Sequence, residues 1–167
     1  MEHLYLKQKV FSLTEKFTFY DLEQNEVIKA RGSFFSLPKH YTLVDEGGQA
    51  VLLVERTIFS LMPEFTLFTL PQRTEICRIR KRFRIGSPRL DIFVSNTKYL
   101  IEGSFFAHEF FVRDEQGNLL ISVCKKWLAW GDTYEISINT SLIEKHVAAG
   151  IVLAIDCTYH SNNNKSW

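Results

Sequence analysis

The chain is poor in cysteine, and none of its cysteines is paired in sequence. Only Cys77, Cys124 and Cys157 occur among 167 residues, and no two of them form a C-x-x-C pair. An odd number of scattered thiols argues against a disulfide framework and against a structural zinc site. The N-terminus has neither a basic segment nor a long apolar one, so no secretory signal is visible. We therefore expect free thiols and a cytoplasmic protein.

Long hydrophobic runs are absent as well. The longest uninterrupted apolar stretch, residues 147–155, has nine residues and is bracketed by Lys145 and Asp156. A membrane-spanning helix needs about 20 apolar residues. We therefore predict a buried core helix here and no transmembrane segment.

Motifs of known catalytic chemistry are missing. The sequence contains no G-x-S-x-G, phosphate-binding P-loop, dinucleotide fingerprint or H-E-x-x-H pattern. Its five histidines are scattered, and none has metal-ligand spacing to another ligand residue. We predict a protein that is not an enzyme, with no cofactor, no metal and no catalytic residues.

The net charge of the chain is close to zero. A formal net charge of +1 gives the protein as a whole no attraction for a polyanionic partner, and it disfavours nucleic acid as a ligand.

What the chain does have is a phrase that recurs every 24 residues. Each copy places two short aromatic-rich segments six residues apart, as in Phe11-Ser12-Leu13 with Phe17-Thr18-Phe19, Phe35-Ser36-Leu37 with Tyr41-Thr42-Leu43, and Phe59-Ser60-Leu61 with Phe65-Thr66-Leu67. Such a period indicates one supersecondary unit used repeatedly. Alternating polar and aromatic residues make each unit two strands. Six copies, the later ones degenerate, predict twelve antiparallel strands joined in sequence order.

The pattern changes at the C-terminus. Ser141 and Glu144 have the spacing of a capping box, which predicts a helix that begins there and runs to about His160. A helix that is apolar all round must be surrounded by protein, and a barrel of twelve strands leaves a lumen. We predict a mostly β protein, a closed twelve-stranded antiparallel barrel around one C-terminal helix, as a single domain over residues 1–160. The polar tail, residues 161–167, is expected to be disordered.

Five segments resemble the LURP-one-related (YxjI-like) family. They are residues 7–13, 34–37, 101–103, 125–134 and 153–156. The resemblance implies a fold shared with the tubby C-terminal domain and the phospholipid scramblases, namely a twelve-stranded barrel around a hydrophobic helix. Phosphoinositide binding by tubby domains suggests a lipid ligand only by analogy of fold.

The strongest local anomaly is a run of basic residues. Alternation along a strand would put Arg78, Arg80, Arg82 and Arg84 on one outward face, with Arg89 following. Guanidinium groups suit phosphate and carboxylate ligands because they donate two parallel hydrogen bonds. We predict these five arginines as candidate anion- or lipid-binding residues. The alternative, a solvated face paired with acids on neighbouring strands, stays open.

A second set of residues forms a candidate structural signature. We expect packing roles for its aromatic residues and a turn at Gly131-Asp132; the set is Trp127, Trp130, Gly131, Asp132, Tyr134 and Asp156. Asp156 lies near the end of the apolar helix, so its carboxylate needs a partner. Lys81, which alternation turns inward, is one candidate. A ligand-binding acid at the barrel mouth is the alternative for Asp156.

These features lead to two main functional hypotheses. The first is a non-enzymatic binding or adaptor module for anionic lipid headgroups at the cytoplasmic membrane surface. The second is a protein–protein interaction or stress- and defence-response scaffold without a lipid ligand, which exposed aromatic residues on one face would favour. A small-molecule carrier or an enzyme would need a deep pocket at the barrel mouth.

Overall fold

The fold is a closed barrel of twelve antiparallel strands with one helix. A computed structural model describes residues 1–7, 16–33, 37–58, 60–62, 64–82, 89–104, 109–128 and 131–160. The elements are β1 Glu2–Lys7, β2 Lys16–Tyr20, β3 Glu26–Ser33, β4 His40–Val44, β5 Ala50–Arg56, β6 Glu64–Thr69, β7 Thr74–Arg82, β8 Arg89–Val94, β9 Thr97–Ser104, β10 Glu109–Asp114, β11 Leu119–Leu128, β12 Gly131–Ile138 and α1 Lys145–His160. The predicted fold class is confirmed. The expected tail, residues 161–167, lies outside the described residues.

Closure of the barrel depends on pairing between the first and last strands. Every strand pairs with its neighbours in the sequence, and β1 pairs with β12 from Glu2 opposite Ile138 to Lys7 opposite Thr133. Closing a sheet on itself removes its edges, so no row of unpaired backbone groups is left for aggregation.

The 24-residue phrase appears in the structure as a repeated strand geometry. Phe19, Leu43 and Leu67 are 24 residues apart, and each directly precedes a register shift between its own strand and the next one. All three side chains are fully buried in the core. The extra residue of each bulge lies on the next strand, at Val27 of β3, Val51 of β5 and Ile76 of β7. The later half of each of these copies therefore supplies an inward-facing core residue where the next strand bulges, and a bulge increases local twist. The earlier half falls largely outside the described residues.

One turn type also recurs in hairpins of the barrel. Asp21, Asp45 and Asp114 each accept a hydrogen bond through Oδ1 from the backbone N–H four residues later, at 2.8 Å in all three cases. These carboxylates satisfy turn amides that the sheet leaves unpaired, as expected of Asp in turns.

Helix α1 runs through the barrel and fills its interior. Residues Val147 to Ile155 are almost completely buried, and the set includes the small residues Ala148, Ala149, Gly150 and Ala154. A Cβ atom at Gly150 would lie 2.5 Å from Leu52 Cδ2, so glycine permits this close approach of helix and strand. No helix in the described part of the chain has both the length and the apolar character that a membrane crossing requires.

The two ends of the helix define the two ends of the barrel. Near its start, Lys145 Nζ lies 3.7 Å from Glu2 Oε1 and 3.4 Å from Glu46 Oε1; we call this the helix-entry end. Near its finish, Cys157 Sγ lies 3.5 Å from the hydroxyl of Tyr41; we call this the helix-exit end. Turns at residues 21–25, 45–49 and 114–118 all lie at the helix-entry end because of the up-and-down strand order.

The predicted helix start is wrong by three residues, since Glu144 and not Ser141 directly precedes the first helical residue. The Ser141 hydroxyl donates to Asn139 Oδ1 at 2.6 Å within a turn, and the first backbone bond of α1 runs from Ala148 N to Glu144 O. A serine can hydrogen-bond within a turn as readily as it caps a helix, so the capping-box spacing was satisfied by another local structure. The predicted finish at His160 is confirmed.

Gly103 is required by both its backbone conformation and its surroundings. Its φ is +114°, and a Cβ there would lie 2.4 Å from the carbonyl oxygen of Glu109. Moving the backbone of the paired strand aside would cost free energy, because its hydrogen bonds to β9 would be distorted. Gly103→Ala should therefore lower the free energy of unfolding by more than about 2 kcal/mol in chemical denaturation.

Gly117→Ala is the matched control for Gly103→Ala. Gly117 has a φ of +85°, but no atom lies within 4 Å of the position that a Cβ would take there. Alanine at this position meets only the conformational penalty, about 1 kcal/mol. Equal losses in the two variants would contradict the steric role of Gly103.

His146 makes stability depend on pH at the helix-entry end. Its Nε2 is buried and has no hydrogen-bond partner among the described residues. Burial, followed by the charge of Lys145, lowers the pKa of His146, and the carboxylates of Asp45, Glu144 and Glu2 oppose this effect only partly. The unfolded chain therefore binds the proton more tightly than the folded one. Stability from this group should be complete above about pH 6.5 and should fall as the pH drops below it.

Replacing the imidazole tests this pH dependence. In urea denaturation between about pH 5 and pH 8, His146→Gln should show a flatter pH profile than the wild type. His3→Gln serves as the control because His3 is exposed and lies 3.1 Å from Glu135 Oε1. A His146→Gln profile parallel to that of the wild type would refute the assignment.

Candidate functional site

The predicted arginine stripe faces outward from β7. Cys77 and Ile79 are buried in the core, while the alternating residues Arg78, Arg80 and Arg82 lie on the outer surface, as predicted. Arg89 begins β8 and pairs in register with Arg82. Arg84 lies outside the described residues.

The three arginines of β7 each have a carboxylate partner on their own or a neighbouring strand. Arg80 Nε donates to Glu64 Oε2 at 2.8 Å, and Arg78 Nη2 donates to Glu75 Oε2 at 2.9 Å. The hydrogen bond to Glu75 raises the pKa of Arg78 above its ordinary value, although partial burial opposes the shift. Both guanidinium groups therefore already have a carboxylate partner that offsets their charge.

The third arginine, Arg82, contacts Asp91, which lies on the outer face of β8 but is only 3% exposed. Lys98 Nζ approaches the other oxygen of Asp91 at 3.7 Å. Two cations thus cover one nearly buried carboxylate, as a buried charge requires.

A groove of about 470 Å³ runs beside the stripe on the outer face of β5, β6 and β7. Its lining includes Glu55, Glu64 and Glu75 against Arg56 and Arg78. A surface where carboxylates outnumber guanidinium groups does not concentrate anions. The pairing therefore favours the interpretation of a solvated, ion-paired face, and the anion site at Arg78, Arg80, Arg82, Arg84 and Arg89 stays a prediction.

Asp156 and Lys81 both lie toward the helix-exit end. Alternation in β7 puts Lys81 on the same side as Cys77 and Ile79, and Asp156 lies in the last turns of α1. Their pairing stays a prediction. Burial raises the pKa of the neighbouring Cys157 thiol to about 12, although the Tyr41 hydroxyl opposes the shift. Cys157 is therefore protonated at neutral pH and is a poor nucleophile.

The candidate structural signature lies largely in the β11–β12 hairpin. Tyr134 is buried in β12, opposite Leu6 of β1. The predicted turn at Gly131-Asp132 is wrong: both residues belong to β12, where they pair with Leu128 and Trp127. Their local Gly-Asp composition is typical of turns, but ladder pairing extends further than composition indicates. Trp130 lies outside the described residues.

An apolar surface at the helix-exit end was not predicted. Leu37, Ile58 and Leu61 are 84%, 50% and 104% exposed by side chain and backbone together. They lie on neighbouring connections, since the backbone N–H of Arg56 donates to Lys39 O at 2.9 Å between them. We call these three residues the exit patch. Their signal in the sequence is weak, because Leu37 and Leu61 each end the first segment of a copy of the repeated phrase, and the phrase indicates strands and turns.

Exposed cations lie toward the same end of the barrel as the exit patch. Lys16 of β2 and Arg31 of β3 face outward and stand directly opposite each other in the register. Lys39 is exposed and follows Leu37 by two residues. Sequence alone could not identify the Lys16–Arg31 pair, because 15 residues separate its members and only strand register brings them together.

Three turns at the opposite end of the barrel are acidic. The turns at residues 21–25, 45–49 and 114–118 contain six carboxylates and no lysine or arginine. The hydrogen bonds from Asn25 and Asn118 lower the pKa of Asp21 and Asp114, so these two stay ionised. The helix-entry end therefore has an acidic surface, while the helix-exit end carries cations together with the carboxylates of Glu55 and Glu64.

The ion pairs at the stripe predict unequal effects of neutralising its carboxylates. Asp91→Asn removes a nearly buried charge that Arg82 and Lys98 contact, and should lower the free energy of unfolding by about 1–3 kcal/mol. Glu75→Gln removes an exposed partner of Arg78 and should change it by less than about 0.5 kcal/mol. Chemical denaturation of both variants measures the difference. Losses of equal size would mean that the burial of Asp91 does not matter.

Comparison with known proteins gives consistent results. A family model described as LURP-one-related matches residues 2–156. The protein YxjI of Bacillus subtilis (strain 168) is 29% identical over 166 residues, which cover 99% of each chain. An X-ray structure of a protein from Arabidopsis thaliana matches with a TM-score of 0.66 and 16% identity, over 93% of this chain and 90% of that one, which shows a shared fold. The chain belongs to the LURP-one-related family.

Proposed function

We propose that this protein is a non-enzymatic module that binds anionic membrane surfaces through the helix-exit end of its barrel. One observation carries the proposal: the helix-exit end of the barrel exposes Leu37, Ile58 and Leu61 and also presents the outward-facing cations Lys16 and Arg31. Exposed apolar residues next to basic ones are typical of surfaces that lie on lipid headgroups. The ligand class is the one predicted from sequence, whereas the proposed contact lies away from the arginine stripe.

The energies of these groups are sufficient for reversible binding. A cation near an anionic leaflet contributes about 1 kcal/mol, so Lys16, Arg31 and Lys39 together favour an anionic over a neutral surface roughly hundredfold. Burial of a leucine side chain adds about 1.5–3 kcal/mol. Both terms act at the same end of the barrel.

Charge separation along the barrel would orient the protein. The six carboxylates of the helix-entry turns are repelled by an anionic leaflet, whereas the helix-exit end is attracted to it. The barrel would then stand with its acidic turns away from the membrane. A cytoplasmic location fits this proposal because the anionic leaflet faces the cytoplasm.

A protein-binding scaffold is the second candidate function. Exposed aromatic residues would favour it, but none of the exposed large hydrophobic residues in the described ranges is aromatic: they are Met1, Leu22, Leu37, Ile58, Leu61 and Leu142. Lipid is therefore the better match for the exit patch.

Vesicle co-sedimentation tests the membrane proposal. The protein should bind phosphatidylcholine vesicles that contain about 30% phosphatidylserine, and bind pure phosphatidylcholine much less. Binding should weaken between about 0.05 M and 0.5 M salt because the cationic contribution is screened. No binding to either vesicle at low salt would refute the proposal and leave the protein scaffold.

Paired substitutions locate the contact. Leu37→Ser with Leu61→Ser should reduce vesicle binding at least about tenfold, since both side chains would lose their burial in lipid. Leu22→Ser with Leu142→Ser is the matched control, because these leucines are also exposed but lie at the helix-entry end. If instead Arg80→Glu abolishes binding while the exit-patch variant binds normally, the arginine stripe is the site and our placement is wrong.

A further inference from the structure

Lys16 and Arg31 form a like-charged pair across two adjacent strands. They are directly opposite in the β2–β3 register, and both are exposed on the outer face. Opposite residues in an antiparallel pair have Cβ atoms about 5 Å apart, and like charges at such positions destabilise the sheet. A structure usually offsets this repulsion with a nearby carboxylate.

No carboxylate offsets it among the described residues. Neither Lys16 nor Arg31 has a hydrogen bond or ion pair there, whereas Lys29, on the same face of β3, has Glu26 Oε2 at 2.6 Å. In the described parts of β1 to β4 the two glutamates, Glu2 and Glu26, both begin their strands at the helix-entry end. The helix-exit half of this face therefore presents the Lys16–Arg31 pair without a carboxylate from the described parts of β1 to β4.

The Lys16–Arg31 pair differs from the arginine stripe because its N–H donors are not engaged by carboxylates of the described residues. At the stripe, the three guanidinium groups of β7 already contact Glu64, Glu75 or Asp91. At the Lys16–Arg31 pair, the guanidinium fork and the ammonium group have their donors open to solvent. A guanidinium matches two oxygens of a phosphate, and an ammonium adds a second positive charge at short range.

We propose that the Lys16–Arg31 pair is a binding site for a phosphate-bearing dianion. A dianion placed between the two side chains replaces their repulsion with two attractions, which a singly charged carboxylate does less well. The ligand chemistry is shared by soluble phosphates and by phosphomonoester headgroups of lipids. The proposal deepens the membrane function by naming the group that this pair takes, and it rests on that function only for the lipid form of the ligand.

Thermal unfolding with inorganic pyrophosphate is the first test. At constant ionic strength, the melting temperature of the wild type should rise by about 3–6 °C for each tenfold excess of pyrophosphate over its Kd. The variant Lys16→Thr with Arg31→Thr should lose this rise. Without ligand it should melt no lower than the wild type, because the like-charge repulsion is gone.

A second double variant controls for overall charge. Arg73→Thr with Lys126→Thr also removes two exposed cations, but both are ion-paired, with Glu55 at 3.0 Å and Glu135 at 3.3 Å. This control should keep the full pyrophosphate response. Equal responses in the two double variants, or none in the wild type, would overturn the proposal.

A third variant tests the acidic neighbour of Lys16 in the sequence. Glu15 lies outside the described residues, and Glu15→Gln should leave the pyrophosphate response at least as large as that of the wild type.

Vesicles separate the two sources of phosphate. Vesicles with phosphatidic acid, a phosphomonoester, should bind the wild type more tightly than vesicles with phosphatidylserine at equal surface charge, and the Lys16–Arg31 variant should lose that preference. A pyrophosphate response without vesicle binding would support a soluble phosphate ligand and refute the membrane function. Vesicle binding without either the pyrophosphate response or the preference would refute this site and leave the membrane function standing.

Discussion

Everything in this structure depends on the packing of one apolar helix inside a closed sheet. Twelve strands are too many for a barrel to fill with its own side chains, and a helix that is apolar all round cannot face water. Each element therefore solves the burial problem of the other. Gly150 marks how tight the fit is, since a Cβ there would meet Leu52 and Leu67 at 2.5 and 3.0 Å. This arrangement also gives the barrel two unlike ends, where the helix enters and where it leaves.

The repeat could be interpreted from sequence because it reports local geometry. Phe19, Leu43 and Leu67 recur at the spacing of one hairpin, and each is an inward residue directly before the register with the next strand shifts. Local patterns failed where two local structures compete. Ser141 formed a turn with Asn139 instead of a helix cap, and Gly131 began the paired strand β12 instead of forming a turn. A local hydrogen bond decided the first outcome and pairing with β11 decided the second.

The candidate site was harder to predict because it depends on register. A run of arginines is conspicuous in a sequence, yet its electrostatic meaning is set by carboxylates on β6 and β8, which only pairing brings close. The Lys16–Arg31 pair gave no signal in the sequence, since neither residue is unusual alone. A surface can bind an anion when its cations lack carboxylate partners. The number of basic residues along the chain does not show whether such partners are present.

The protein is then a rigid barrel with an acidic end, a paired outer face and one end that combines open cations with exposed leucines. Such a division suits a module that positions itself on a charged surface without chemical reaction. The LURP-one-related family membership fits this barrel, and the surface groups described above are those that we propose for the contact.

Hydrogen exchange on anionic vesicles tests this division most directly. Docking through the helix-exit end should slow exchange of amides in residues 37–39 and 57–62, and in the ends of β2 and β3 at Lys16 and Arg31. Exchange in the helix-entry turns, residues 21–25, 45–49 and 114–118, should be unchanged. Slower exchange confined to those turns, or to β7 and β8 around Arg80, would contradict the account.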